Sequence, residues 1–269
     1  MDLIQAIVLG ILQGVTEFVP VSSSGHLVLV PWLLNWSDPG LVFDTVVHWG
    51  TLVAVLAYFW RDWWALIKAW VQGLVRWDWT DRNARLMWLL ILGTIPAMVI
   101  GLLLEDLFES LFSQPVWVSL FLFVTAGILI VSERLSARNR GVEKLRWGDA
   151  LLIGLGQAAA IAPGISRSGS TMAMGLLRGL DRASAARFSF LLSTPIILGA
   201  GALQLLDLFS VPEPLAHAPV LALGFVMAAA SGYACISGLL RYLQRGKLYP
   251  FAVYCAVFGA FCLIVSMVR

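Results

Sequence analysis

Apolar residues fill long runs of this chain, and its polar residues fall in a few discrete places between them. A helix that crosses a membrane needs about 20 mostly apolar residues. Six stretches meet that requirement, at 42–60, 86–104, 116–133, 187–207, 218–240 and 249–268, and each predicts one transmembrane helix. Two further apolar regions, 3–34 and 149–178, are interrupted near their centres by proline, glycine and clustered serines. Residues 63–75 carry Trp63, Trp64, Ile67, Trp70, Val71 and Leu74 at helical spacing, with Lys68 and Arg76 beside them. That stripe predicts a helix over 62–76 lying on the inner membrane interface.

Composition agrees with the pattern. The 269 residues are 59% hydrophobic and only 13% charged, against roughly 25% charged in a soluble domain. The chain reads as an integral membrane protein. A net charge of +2 gives no electrostatic footing for a nucleic-acid partner. Cys235, Cys255 and Cys262 lie in late apolar segments without metal-ligand spacing and read as small apolar helix residues. No Lys or Arg precedes the first apolar run, which argues against a cleaved signal peptide.

Charge then sets the topology. The basic residues cluster in 61–85, 134–146, 178–187 and 241–247, and none lies in 105–115 or 208–217. If the six stretches are the only crossings, every loop obeys the positive-inside rule, with both termini outside. This requires each interrupted region to enter and leave on one side. Region 3–34 is therefore predicted to be a re-entrant helical hairpin dipping from outside, and 149–178 one dipping from the cytoplasm.

Sliding the chain by 144 residues lays Ala6, Gly10 and Gln13 on Ala150, Gly154 and Gln157, and Ser22, Ser24 and Gly25 on Ser166, Ser168 and Gly169. Three spans separate the copies, so the copies have opposite orientations. The expected fold is an all-α polytopic membrane protein in one domain, 1–269. It has six transmembrane helices and two re-entrant hairpins in an inverted-topology repeat, with repeat one about 1–133 and repeat two about 149–269. Irregular backbone at membrane depth survives only when buried in protein or lining a wet cavity, so the two breaks should face one polar pocket.

The breaks hold the chemistry. In Q-G-V-T-E-F-V-P-V-S-S-S-G-H, Gln13 and Glu17 share a helix face, Pro20 stops the first helix, Ser22, Ser23 and Ser24 cap a second, and His26 sits in its first turn. In P-G-I-S-R-S-G-S-T, Ser166, Ser168, Gly169, Ser170 and Thr171 surround the next helix start, and Arg167 stands where the first copy has Ser23. Two helix N-termini, hydroxyls and a guanidinium fork suit an anion, phosphate or pyrophosphate best. Glu17 would repel that anion unless it holds a divalent cation shared with the phosphate or serves as a base. His26 can carry protons, and Ser23 could act as nucleophile. These are the parts for phosphoanhydride hydrolysis. His48 reads as a helix-packing histidine more readily than a pocket residue, Asp44 as near the outer surface, and His217 as a solvated loop residue.

At these residues the sequence resembles the undecaprenyl-diphosphate phosphatases of the bacitracin-resistance type, bacterial inner-membrane enzymes. The family pattern is Glu or Gln, three residues, Glu, then P-V-S-S-[ST]-G-H, with a second motif P-G-x-S-R-S-G-[SA]-T. The similarity extends over the whole chain in length, spans and repeat. It implies removal of the terminal phosphate from undecaprenyl diphosphate, which recycles the carrier lipid of peptidoglycan synthesis and confers bacitracin resistance. It also implies a divalent cation, Mg²⁺ or Ca²⁺, with Glu17 as a ligand, and an active site open to the periplasm. Carried over by position, Glu17, Ser23, His26 and Arg167 are the catalytic set, with Gln13, Ser166 and Thr171 beside them. Gln13 departs from the Glu of many members. The expected partners are a polyprenyl diphosphate and membrane lipids, with a homodimer carried as a further partner. The rival reading is an anion transporter or lipid flippase using the same inverted-repeat pocket.

Overall fold

The structure is a computed structural model that describes residues 1–78, 80–208 and 214–269; of residues 105, 106, 109, 205–208 and 214–217 it describes the backbone alone. Trp79 and much of the expected loop 208–217, with the His217 side chain, thus lie outside the described residues. The described residues form twelve α-helices and one 3-10 turn, Val142–Lys144. The helices are α1 (Leu3–Phe18), α2 (Ser23–Leu34), α3 (Gly40–Tyr58), α4 (Trp60–Arg76), α5 (Arg82–Leu103), α6 (Glu105–Phe112), α7 (Pro115–Leu135), α8 (Trp147–Ala159), α9 (Arg167–Leu177), α10 (Arg182–Leu208), α11 (Pro214–Leu243) and α12 (Tyr249–Val268).

Six of these, α3, α5, α7, α10, α11 and α12, are long and apolar enough to cross a membrane. They coincide with the six stretches expected from the sequence. Three begin several residues earlier than their apolar runs, α5, α10 and α11, and the first two have a carboxylate at the start. At α5, Asp81 caps the amides of Asn83 and Ala84, and at α10, Asp181 accepts from the Ser184 amide. A charged first turn with a carboxylate cap is favourable helix chemistry that a hydropathy pattern passes over.

The other helices of the interrupted regions are short. At 1.5 Å per residue, α1 with 16 residues and α2 with 12 are about 24 and 18 Å long. Neither reaches across a hydrocarbon core of about 30 Å. The same holds for α8 with 13 residues and α9 with 11. α1 packs along α11, and α8 along α5. Both crossings are close at a glycine. A Cβ on Gly10 would stand 2.6 Å from the Gly224 carbonyl oxygen, and one on Gly154 would stand 2.4 Å from that of Gly93. α3 packs on α10 and α7 on α12. Phe18, at the end of α1, meets Phe190 of α10 edge to face at 5.3 Å, and both rings are fully buried.

The faces turned away from this core are apolar too. On α12, Val253, Val257, Phe261 and Ile264 are all exposed, as suits a helix whose solvent is lipid. α4 covers the expected 62–76 helix and leaves Trp64, Ile67, Val71 and Val75 exposed; Asp62 on it is ion-paired with Arg187 of α10. At the ends where the basic segments gather, two buried carboxylates hold the helices together. Glu133 of α7 pairs with Arg138 and Arg182. Asp149 of α8 pairs with Arg140 at 2.8 Å and Arg178 at 2.7 Å. Burial works to raise the Asp149 pKa, but the Arg178 guanidinium, the Arg146 amide and Arg140 outweigh it and hold the carboxyl below the usual range. The cysteines are free, with Cys255 and Cys262 buried in α12.

Candidate active site

The site is built where the two helical breaks touch. α1 ends at Phe18, Pro20 prevents its continuation, and Ser22 turns the chain with a φ of 73°. A left-handed non-glycine residue costs of order 1–3 kcal/mol and needs surrounding structure to hold it. The second break turns at Gly164, whose φ is 99° and whose missing side chain is required, since a Cβ there would stand 2.3 Å from the Val118 carbonyl oxygen.

The helix starts beyond the turns are capped identically. The Gly25 amide donates to Ser22 Oγ at 3.2 Å, and the Gly169 amide to Ser166 Oγ at 3.0 Å. Ser22 and Ser24 share a hydroxyl contact at 3.3 Å, and Ser166 and Ser168 one at 3.2 Å. The tips are in direct contact. A Cβ on Gly25 would lie 3.2 Å from Gly164 Cα, and Ser168 Oγ donates to the Val19 carbonyl at 3.1 Å. Thr125 of α7 braces the second break, donating to the Gly164 carbonyl and accepting from the Ser166 amide, both at 2.9 Å.

Glu17 is the hub of the polar cluster. Its Oε1 accepts from Arg167 Nη2 at 2.5 Å, across 150 residues of chain. Its Oε2 accepts from Ser23 Oγ at 2.6 Å and from Gln13 Nε2 at 3.0 Å. Arg167 also donates through Nη1 to the Ser189 carbonyl of α10 at 3.2 Å, and Thr171 Oγ1 donates to the Arg167 carbonyl at 2.8 Å and shares a hydroxyl contact with Ser189 at 2.7 Å. A carboxylate beside a serine at this distance is a base placed for deprotonation.

The matching family model is the one described as Bacitracin resistance protein BacA, over residues 6–261. The chain belongs to the BacA family. Among its relatives, it is 45% identical over 269 residues to the Undecaprenyl-diphosphatase of Desulforudis audaxviator (strain MP104C), covering 100% of both chains. It is 48% identical over 256 residues to the Undecaprenyl-diphosphatase of Gemmatimonas aurantiaca (strain DSM 14586 / JCM 11422 / NBRC 100505 / T-27), covering 95% of this chain and 94% of the relative. It is 45% identical over 269 residues to Undecaprenyl-diphosphatase 2 of Stutzerimonas stutzeri (strain A1501), covering 98% of each.

His26 stands apart from the other three residues expected to act with it in this BacA-family site. Both of its ring nitrogens are engaged elsewhere. Nδ1 lies 2.7 Å from the Ser22 carbonyl and Nε2 lies 2.7 Å from the Tyr254 hydroxyl of α12. A carbonyl only accepts, so Nδ1 carries the proton and Nε2 accepts from Tyr254. The histidine closest to the hub is His48. Its Nδ1 donates to the Asp44 carbonyl at 2.7 Å, as a helix-packing histidine would, yet its Nε2 faces Glu17 Oε2 at 3.7 Å. His48 thus serves both roles weighed for it. Asp44, in the second turn of α3, is partly buried, and its Oδ1 is without a partner.

Among the described residues no group of three or more His, Cys, Asp and Glu could hold a metal ion. What is present is one carboxylate, Glu17, and the Gln13 amide oxygen, fully buried and without a partner. That donor set is too sparse for an all-protein cage. It fits a hard cation that takes its remaining oxygens from water and substrate phosphates, the habit of Mg²⁺. Thr125, Ser189 and Tyr254 were not singled out from the sequence. The available signal was polarity alone: each is a hydrogen-bonding residue inside an apolar span.

Proposed function

We propose that this chain hydrolyses undecaprenyl diphosphate to undecaprenyl phosphate and phosphate, recycling the carrier lipid of peptidoglycan synthesis, and that this activity underlies bacitracin resistance. The observation that carries the reading is Glu17, which joins Arg167 at 2.5 Å and Ser23 at 2.6 Å inside a break lined by two capped helix starts. Membership of the BacA family and the names of its relatives supply the substrate.

The chemistry follows from those contacts. The diphosphate is gripped by Arg167 and by the amides at the starts of α2 and α9, with the hydroxyls of Ser22, Ser24, Ser166, Ser168 and Thr171 and the Gly169 backbone shaping the cradle. Ser23 Oγ attacks the terminal phosphorus as Glu17 takes its proton. The bridging P–O bond breaks, and undecaprenyl phosphate departs with the electron pair. Water then cleaves the phosphoserine: Glu17 returns its proton to Ser23 Oγ, the proton of the water reaches His26 Nε2 through the Tyr254 hydroxyl bonded to it, and phosphate leaves. A divalent cation, Mg²⁺ or Ca²⁺, held by Glu17 and Gln13, would neutralise phosphate charge.

The same proposal includes the membrane arrangement. α1–α2 and α8–α9 are re-entrant hairpins of an inverted repeat, entering from opposite faces of the inner membrane, with the site open to the periplasm. The short helices, the matched caps at Ser22 and Ser166, the matched glycine crossings at Gly10 and Gly154 and the gathering of basic residues support it.

Phosphate release from undecaprenyl diphosphate by the purified protein in detergent tests the reading. The wild type releases phosphate, chelator stops release, and Glu17→Gln and Ser23→Ala each lower kcat by roughly 10²–10⁴. An intact, folded protein that releases none refutes hydrolysis and favours the transporter.

A further inference from the structure

The His26–Tyr254 contact lies at the edge of an apolar cleft that the proposed mechanism leaves unused. This cleft, about 650 Å³, runs between α1 and α12 and is lined by Val8, Ile11, Val15, Val19, Val21 and Tyr254 among others. Its lining includes Val19 and Val21, on either side of Pro20 and next to Ser22, so it opens directly onto the first break. On α1 its residues occupy the face away from Glu17, as Gln13 and Glu17 are buried while Val8, Ile11 and Val15 are exposed. A second shallow hollow along α12 is lined by Val253, Tyr254, Val257, Phe258 and Phe261. Tyr254 is common to both. Tyr254 is 45% exposed, whereas His26 is 1% exposed. The imidazole stacks on Tyr254 at 5.6 Å and on Phe258 at 4.8 Å.

A chain of isoprene units is an apolar ligand tied to a diphosphate. It needs an apolar track that ends where the diphosphate is held, and the α1–α12 cleft is such a track. We infer that Tyr254 is a positioning residue for His26 that also forms the wall of the prenyl-chain track, so that an occupied track governs how His26 is held. This rests on the proposed hydrolysis. The hydroxyl fixes the imidazole with its proton on Nδ1 and its basic Nε2 on that hydroxyl. A prenyl chain packed on the exposed Tyr254 ring presses that pair in place, and a short chain that never reaches it leaves the pair loose. Chain length is thereby read in kcat as well as in KM.

The test uses the full-length protein in detergent, with undecaprenyl diphosphate and farnesyl diphosphate as substrates and phosphate release as readout. Tyr254→Phe keeps the ring and removes the hydroxyl. Its expected effect on undecaprenyl diphosphate is a fall in kcat of about 10-fold with KM within about 2-fold, and an altered pH profile of kcat. The wild-type kcat advantage of the long chain over the short one should shrink to near unity in Tyr254→Phe. In a His26→Ala background the Tyr254→Phe change should add nothing, as expected for two residues acting as one unit. A folded Tyr254→Phe protein with wild-type kcat and pH profile overturns the inference while leaving hydrolysis intact. So do additive losses in the double variant, or equal wild-type kcat on both substrates. Wild-type turnover in His26→Ala overturns both the inference and the role given to His26.

Discussion

Glu17 shows how a single side chain decides what a pocket can do. Alone in an apolar setting a carboxylate is costly to ionise, and beside phosphate it is repulsive. With Arg167 on one oxygen and Ser23 and Gln13 on the other, it is fully engaged and turned towards a nucleophile. The guanidinium is used as a fork, one arm on Glu17 and the other on the Ser189 carbonyl. Lysine keeps the charge but has no second arm in a fixed plane. Arg167→Lys is therefore expected to lower kcat/KM for phosphate release by about 10²-fold, with unchanged thermal unfolding in detergent. The meeting of Glu17 and Arg167 was legible in the sequence because a repeat and a charge pattern both required the breaks to converge. The partner of His26 was not, because a single tyrosine in an apolar span carries no periodic signal, and only the packing of α12 reveals where its hydroxyl points.

At the scale of elements, the information lay in interruptions. Pro20, Pro163 and Gly164 mark where helices stop, and Ser22 and Ser166 mark where they resume. These signals are local and chemically strong, so the breaks could be placed before any packing was known. The entry of α5 and α10 several residues early was hidden because a polar helical turn and a polar loop have the same hydropathy. Gly164 is the sharpest test of the second break. Gly164→Ala combines a φ of 99° with a Cβ 2.3 Å from backbone oxygen, and should destabilise by about 2–4 kcal/mol. Gly127→Ala on the exposed face of α7, where a Cβ meets nothing within 4 Å, should be neutral or stabilising by up to about 1 kcal/mol. Unfolding of both variants in detergent measures the contrast.

For the whole molecule, ion pairs tie the helices together where the basic segments gather. Asp149 is fully buried and joins α8 to Arg140 and Arg178. Because its folded-state pKa lies below the ordinary 3.8, the stability it contributes is complete above that value and lost as the pH falls through the lowered one. Asp149→Asn should cost about 2 kcal/mol at pH 7, less than a wholly enclosed pair because Arg178 is partly exposed. The difference from wild type should narrow on acidification below about pH 4, as followed by unfolding in detergent across pH.

Gly25 rests on Gly164 with only bare backbone between them, and the Ser168 hydroxyl is fastened to the carbonyl of Val19. At this contact no gap separates the two breaks. Passing a phosphate from one leaflet's side to the other would mean prising this seam apart, and Glu17 would lose Arg167 in the same movement. The seam therefore favours a stationary frame: the lipid arrives and departs sideways, and the protein converts its headgroup without carrying it across.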